Sequence, residues 1–395
     1  MTARTRLAFV IAVVLPCLTA VYLNVALPRP VWDEALYHLP ELARYGPGLP
    51  GLTTLREAGA AVGPLFYVLF ANLAAPFGTS LLSLRLLILA CATANLVLFA
   101  LLARRAAGER AGALILLLAT FPYFLTLSGL FLSEQPALLA GLGAFLLFLR
   151  WRERPHAGRL VACLASAAAA VLVRQYFLFL PLGLAAVEVA SGAGRRRTGL
   201  LLALPALALV PILLLWGGLV PPALQSRHAP GFSLAGLSSF LVWTGLYCLP
   251  WLWLRVRRTA PGAWLLLALL ALPVAAAAPE PGAGIVRTLF RLLPAGALPV
   301  LSGIGAVLGG AVIVVLALGL RRAAPPQRAA TILFLALGLL FLASGPLVYE
   351  RYYLPALPLA LIALADDIRP LPALAWSFLV QLPLAVAQLL RLGAK

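Results

Sequence analysis

Asp33 and Glu34 stand side by side just after the first apolar stretch, in Val31-Trp32-Asp33-Glu34-Ala35-Leu36-Tyr37-His38-Leu39-Pro40, and only 12 of the 395 residues are Asp or Glu. A carboxylate at a membrane surface can take the proton of an attacking hydroxyl. Arginine placement, set out below, puts this pair on one face of the chain. With it come Arg85, Arg174, Arg227, Arg287, Arg291 and Arg351, together with His38, Glu57, Glu134, Gln175, His228 and Glu350. Arginine grips a phosphate through two parallel N–H bonds. A departing phosphate is a weak base that needs cations rather than a general acid. One aspartate plus several arginines therefore suffices for glycosyl transfer from a lipid phosphate, in which a sugar hydroxyl loses its proton to the carboxylate as it attacks an anomeric carbon.

The individual groups carry different weight. Arg174-Gln175 interrupts an apolar stretch from Leu160 to Val189, too long for one helix and barely enough for two. A hairpin of two short helices would hold the pair slightly below the outer surface, where a buried anion contact outweighs a snorkelling loop arginine. Arg85, one turn into the second span, reads equally as a snorkelling cation and as a phosphate ligand. Tyr349-Glu350-Arg351-Tyr352-Tyr353-Leu354-Pro355 packs a charge pair between aromatics at a helix start, fitting an interfacial belt or a lipid-phosphate site. Gln225-Ser226-Arg227-His228 marks a polar outer loop, and His228 reads more readily as a loop histidine than as a base. Glu134, between Ser133 and Gln135, reads as a hairpin terminus.

These residues sit in a chain built for lipid. Hydrophobic residues make up 63% and charged ones 11%, and the mean hydropathy is +1.02, which excludes an ordinary soluble domain. The formal charge of +18 would suggest nucleic acid in a soluble protein. Here the arginines fall in short clusters between apolar runs and read as topology signals, so no nucleic-acid partner is implied. Cys17, Cys91, Cys163 and Cys248 all lie inside apolar stretches without metal or disulfide spacing and read as small lipid-facing or core residues. The first apolar run exceeds a signal h-region and lacks a small-x-small cleavage site, so it reads as a retained helix.

On a ruler of ~20 apolar residues per crossing, about thirteen spans are expected: 7–27, 80–103, 111–131, 135–150, 159–173, 176–193, 198–220, 236–254, 261–278, 296–320, 329–347, 352–366 and 371–391. With the N-terminus cytoplasmic, the inner loops hold Arg104, Arg105 and Arg110; Arg150 to Arg159; Arg195 to Arg197; Arg255 to Arg258; Arg321 to Arg328; and Arg369. Every dense cluster then falls on one side, as the positive-inside rule requires. The expected architecture is an all-α, polytopic membrane protein forming one domain over 1–395, without an internal repeat or phosphate-binding glycine loop. Its longest outer loop, 28–79, carries the acids and two surface helices: one after Asp33, which would act as its N-cap, and one from Gly63 to Pro76.

The order of motifs resembles the GT-C superfamily of integral-membrane glycosyltransferases that use polyprenyl-phosphate sugars. The resemblance runs over most of the chain. It is carried by Asp33-Glu34 after the first helix, Tyr37-His38-x-Pro40, Gly63-Pro64-Leu65-Phe66-Tyr67, Gly78-x-Ser80 with Leu84-Arg85-Leu86, and Arg351-Tyr352-x-Leu354-Pro355. The first loop and Arg174-Gln175 are similar to the dolichyl-phosphate-glucose-dependent alpha-1,2-glucosyltransferases, although His38 lies one position farther from the acids than in that pattern. The resemblance also extends to bacterial polyprenyl-phosphate-sugar glycosyltransferases.

It implies an inverting hexosyltransferase with Asp33 as general base and Glu34 as helper or acceptor contact. Arg85, Arg174, Gln175, Arg351, Tyr352, His38, Arg227, His228 and Glu350 would bind the donor and its phosphate. The implied partners are a polyprenyl-phosphate sugar donor, a glycolipid, glycan or protein acceptor, and membrane lipids. In a bacterium the protein would lie in the cytoplasmic membrane with its catalytic face outside. Some relatives use a divalent metal, but this chain offers no compact ligand cluster beyond the acids and His38, so no cofactor is required.

Two other classes compete. A secondary transporter or lipid flippase would place polar groups near the bilayer midplane and show repeated halves, whereas here they concentrate at one face. A non-catalytic membrane subunit of an envelope-polysaccharide complex differs from the enzyme only in activity.

Overall fold

The computed structural model describes residues 2–31, 33–192, 195–226, 231–256, 269, 271–278, 281–294, 297–343 and 348–393. Its frame is a set of long apolar helices. Ala3–Ala26 is opened by Thr2, whose hydroxyl accepts the Thr5 N–H; at 1.5 Å per residue its 24 residues extend ~36 Å, enough to cross a bilayer. Leu7, Val10, Val14, Leu18 and Val21 are exposed along it, while Ala8, Ala12, Ala20 and Leu23 are buried. Large apolar side chains outward and small ones inward is the arrangement that lipid favours. The same economy brings Leu234–Val256 against Ala297–Gly319. A Cβ at Gly309 would lie 1.9 Å from the Leu241 carbonyl oxygen, and one at Gly245 2.2 Å from that of Gly305, so glycine sets how closely these two backbones approach.

Among the described residues, six helical stretches are long and apolar enough to cross a membrane: Ala3–Ala26, Leu81–Ala119, Arg196–Trp216, Ala297–Gly319, Pro325–Leu342 and Pro370–Leu392. The protein is an all-α integral membrane protein; among the described residues the one β feature is a parallel bridge between Ala283 and Tyr349. The thirteen expected spans are not all of one kind. Shorter apolar helices answer to several of them, including Ala157–Val173 and Gln175–Ala190. The expected span 111–131 is a broken helix, Ala111–Ala119 followed by Pro122–Leu127, because Pro122 denies Phe121 the helical conformation. All of it is buried. The expected 352–366 is likewise reduced to the buried helix Ala356–Ala363 after a 3₁₀ turn over Glu350–Tyr353. Of 261–278, half lies outside the described residues.

The molecule has two chemically distinct ends. At one, Thr5 bonds to the Glu109 carbonyl at 3.2 Å, Arg105 pairs with Glu153 at 3.1 Å and Arg110 with Asp366 at 3.3 Å. Arg152 and Arg195 share Glu188 at 2.9 and 3.2 Å, and Gln327 reaches the Ala106 carbonyl. The arginine-bearing segments around 104–110, 150–153, 195 and 327 thus gather on one side. The helices Ala3–Ala26 and Glu134–Glu153 lead from there to the opposite end, where residues 31–38, 131–134, 174 and 351 meet.

The loop 28–79 forms the floor of that opposite end. It carries the helices Leu39–Tyr45, Leu52–Arg56 and Pro64–Ala74. Glu41 accepts the Gly59 N–H at 2.8 Å, Arg44 pairs with Glu57 at 3.0 Å, and the Trp216 indole donates to the Leu55 carbonyl at 2.7 Å. Gly63 donates its N–H to the Val173 carbonyl at 3.1 Å. A Cβ there would lie 1.8 Å from the Leu172 oxygen, so the glycine lets the loop seat against the residues that precede Arg174.

Candidate active site

Asp33 is placed by an irregular turn. Pro40 has no N–H to give to the preceding turn, and the helix widens just before it: the Leu39 N–H reaches five residues back to the Glu34 carbonyl, a distortion often found at functional sites. Asp33 itself has helical backbone angles and makes no capping hydrogen bond, so the expected N-cap role is corrected. Its carboxylate instead pairs through Oδ2 with Nη1 of Arg351, and about a quarter of the side chain stays exposed.

Arg351 has a second acidic neighbour, its Nε lying 3.3 Å from Oε1 of Glu134. The same oxygen accepts Nη2 of Arg174. Asp33, Arg351, Glu134 and Arg174 therefore form one alternating chain of charge. Arg174 gets there because the helix Ala157–Val173 ends on it in extended conformation, and the polypeptide re-enters through the turn Gln175–Leu178. The hairpin expected from the sequence is present. Tyrosine faces line the guanidiniums: Arg351 lies 5.0 Å from the Tyr349 ring centre and 5.8 Å from that of Tyr352, and Arg174 lies 5.8 and 5.7 Å from Tyr176 and Tyr352, within cation–π range.

These groups open on a pocket of about 80 Å³, lined by Asp33, Tyr37, His38, Arg174, Tyr349, Arg351 and Tyr352, with Ala60 to Val62 and Leu224 closing it. It holds room for several waters. His38 lines it without being a ready base. Its Nδ1 is 3.0 Å from the Tyr67 hydroxyl, and Phe66 and Phe131 meet it edge-on. Burial, with Arg174 and Arg351 adding to it and Asp33 opposing, pushes the imidazole pKa down to about 3, so the ring is neutral at physiological pH.

Other expected site residues lie elsewhere. Glu34 is wholly buried and bonded to Arg85: its Oε1 and Oε2 accept Nε and Nη2 at 3.1 and 2.6 Å. The N–H groups of Phe131 and Val31 complete the carboxylate at 2.7 and 3.0 Å. Arg85 spends its remaining N–H bonds on the Leu23, Leu27 and Arg29 carbonyls. The expectations of a pocket-side helper and of a snorkelling or phosphate-binding arginine are both corrected: this pair ties the first helix to the second long one.

Glu350 is not ion-paired with its neighbour Arg351. It is buried, accepting the Tyr247 hydroxyl at 2.5 Å and the Val286 N–H at 3.0 Å, with the Tyr123 hydroxyl 3.5 Å away. Gln175 adjoins Arg174, its side-chain N–H group buried without a hydrogen-bond partner. Arg227 and His228 lie outside the described residues.

Glu134 is the residue that sequence reasoning undervalued. A carboxylate opening the helix Glu134–Glu153 and followed by an apolar run must find a cation if it is buried, and Arg174 was the interrupting cation available. Tyr176 and Tyr349 carried no signal beyond their neighbours. Among the described residues no three His, Cys, Asp or Glu side chains gather as metal ligands.

No protein-family model matches the chain, and no curated protein matches it. Among solved structures it is similar to ArnT from Cupriavidus metallidurans bound to undecaprenyl phosphate, at 18% identity and a TM-score of 0.43, over 95% of this chain and 77% of that one. It is similar also to the apo state of the same protein, at 18% identity and a TM-score of 0.42, over 91% and 77% of the two chains.

Proposed function

We propose that the chain is an inverting glycosyltransferase of the GT-C type, moving a sugar from a polyprenyl-phosphate-linked donor to an acceptor hydroxyl at the outer membrane face. One observation supports the reading above the others. A partly exposed carboxylate, Asp33, a partly exposed guanidinium, that of Arg351, and a buried one, that of Arg174, converge on a single tyrosine-rimmed pocket at one end of an apolar bundle. The arginines bind the donor phosphate and stabilise it as it leaves. Asp33 takes the proton of the acceptor hydroxyl as the new bond to the anomeric carbon forms and the bond to phosphate oxygen breaks on the opposite face of the sugar. His38, neutral and hydrogen-bonded to Tyr67, shapes the pocket wall rather than moving protons.

Asp33→Asn keeps size and removes the base. General-base catalysis contributes about 10²- to 10⁴-fold, so turnover with a polyprenyl-phosphate sugar should fall by that order while donor binding survives. Transfer at the parental rate by Asp33→Asn would remove the proposed base and with it the reading.

A further inference from the structure

The four charges of the site are not equivalent. Glu134 is wholly buried, stands at the first position of a 20-residue helix where the backbone dipole favours an anion, and touches both arginines through one oxygen. Asp33 is a quarter exposed and touches Arg351 alone among the arginines of the pocket. Two carboxylates and two guanidiniums sum to zero, so the resting pocket has no surplus positive charge. An arriving phosphate adds negative charge and needs guanidinium N–H groups. Nε of Arg174 and Nε of Arg351, both buried without a hydrogen-bond partner, offer two, although that of Arg351 faces Glu134 at 3.3 Å; the Nη groups held by Asp33 and Glu134 become available only if a carboxylate lets go. Releasing Glu134 would strand a buried anion, which is strongly unfavourable. Asp33 can turn to water.

We propose that Glu134 is a positioning residue, the fixed counter-ion that holds Arg174 and Arg351 side by side, so that a bound phosphate displaces Asp33 from Arg351 and frees its carboxylate. The inference rests on the glycosyl-transfer reading above and adds an order to it. The base is engaged by Arg351 until the donor phosphate occupies the cradle, so donor binding precedes removal of the acceptor's proton.

The test uses the purified full chain in detergent, with sugar-free polyprenyl phosphate as the binding probe and the lipid-linked sugar for turnover. Glu134→Gln leaves the cradle one positive charge in surplus, so polyprenyl phosphate should bind about tenfold more tightly. Asp33 then stays on Arg351 beside the phosphate, and kcat and the donor KM should fall together, a pattern that simple loosening of the site does not give. Glu134→Asp, which keeps the charge, should stay near the parent. Asp33→Asn removes the competing carboxylate and should also tighten polyprenyl phosphate binding about tenfold, an outcome that does not depend on how Glu134→Gln folds. Unchanged or weaker binding by Asp33→Asn, or weaker binding by folded Glu134→Gln, overturns the proposal while leaving the glycosyltransferase reading in place. A parent protein that binds no polyprenyl phosphate overturns both.

Discussion

Asp33 and Glu34 are neighbours in the chain, yet about a quarter of one side chain is exposed and none of the other. Successive residues of a helical turn point ~100° apart, so adjacent acids at the start of such a turn face different surroundings. The sequence marked the doublet as the place for chemistry but could not divide it, because which acid faces the pocket depends on where Arg85 and Arg351 arrive from distant segments. The division has a measurable consequence. Glu34→Gln leaves Arg85 a wholly buried, uncompensated cation and should destabilise the protein by about 3–5 kcal/mol, whereas Asp33→Asn should leave the melting temperature in detergent near that of the parent. The double variant Glu34→Gln, Arg85→Gln should recover much of the loss, since no buried charge is then unpaired. Equal melting temperatures for Asp33→Asn and Glu34→Gln would contradict the assignment of a structural role to Glu34 alone.

At the scale of elements, the hairpin at Arg174 was legible because two charged or polar residues interrupt an apolar run, and the surface helix beginning at Pro64 was legible from its glycine and proline. The join between them was not. Gly63 meets the Val173 carbonyl across more than a hundred residues of chain, and no local pattern reports such a contact. Glu350 illustrates the same gap: beside an arginine it reads as an ion pair, but in the fold it clasps the segment 281–294 through the Val286 N–H and meets the Tyr247 and Tyr123 hydroxyls of two other helices.

That clasp lies in the segment between Pro325–Leu342 and Ala356–Ala363. Burial raises its carboxyl pKa from 4.5 to about 7, with the hydrogen bonds from Tyr247 and Val286 opposing. A carboxyl held protonated to higher pH in the folded state stabilises most below 4.5, and that stability is lost as pH rises through about 7. The full change is on the order of 3 kcal/mol. His38 acts in the opposite sense: its lowered pKa makes folding less favourable as pH falls below 6.5. Comparison with Glu350→Gln separates the two. The parent's melting temperature should fall relative to that variant between about pH 5 and 7 and then run parallel to it. Parallel curves throughout pH 5–8 would mean that Glu350 does not titrate in this window.

For the whole molecule, composition and arginine spacing made the membrane class and the two unlike ends legible, while the number of crossings was not. Apolar content reports burial without saying whether lipid or protein provides it: the run 111–127 and the helix Ala356–Ala363 are as apolar as any span and lie wholly inside the protein. Orientation, by contrast, rests on charge. If the arginine-rich end is cytoplasmic, the pocket end and its loop 28–79 face outward. Ala60 is a poor reporter of this, because it is buried in the pocket wall. Leu49, 92% exposed in the same loop, is a good one, and Pro155, exposed among the arginines of the other end, is its counterpart. In a background with the four native cysteines replaced, Leu49→Cys should react with a membrane-impermeant maleimide in intact cells, and Pro155→Cys only after the membrane is opened. The reverse pattern would place the carboxylate and both arginines on the cytoplasmic side, where a donor and acceptor would have to be supplied from within the cell, and the outer-face reaction proposed for this pocket would fail.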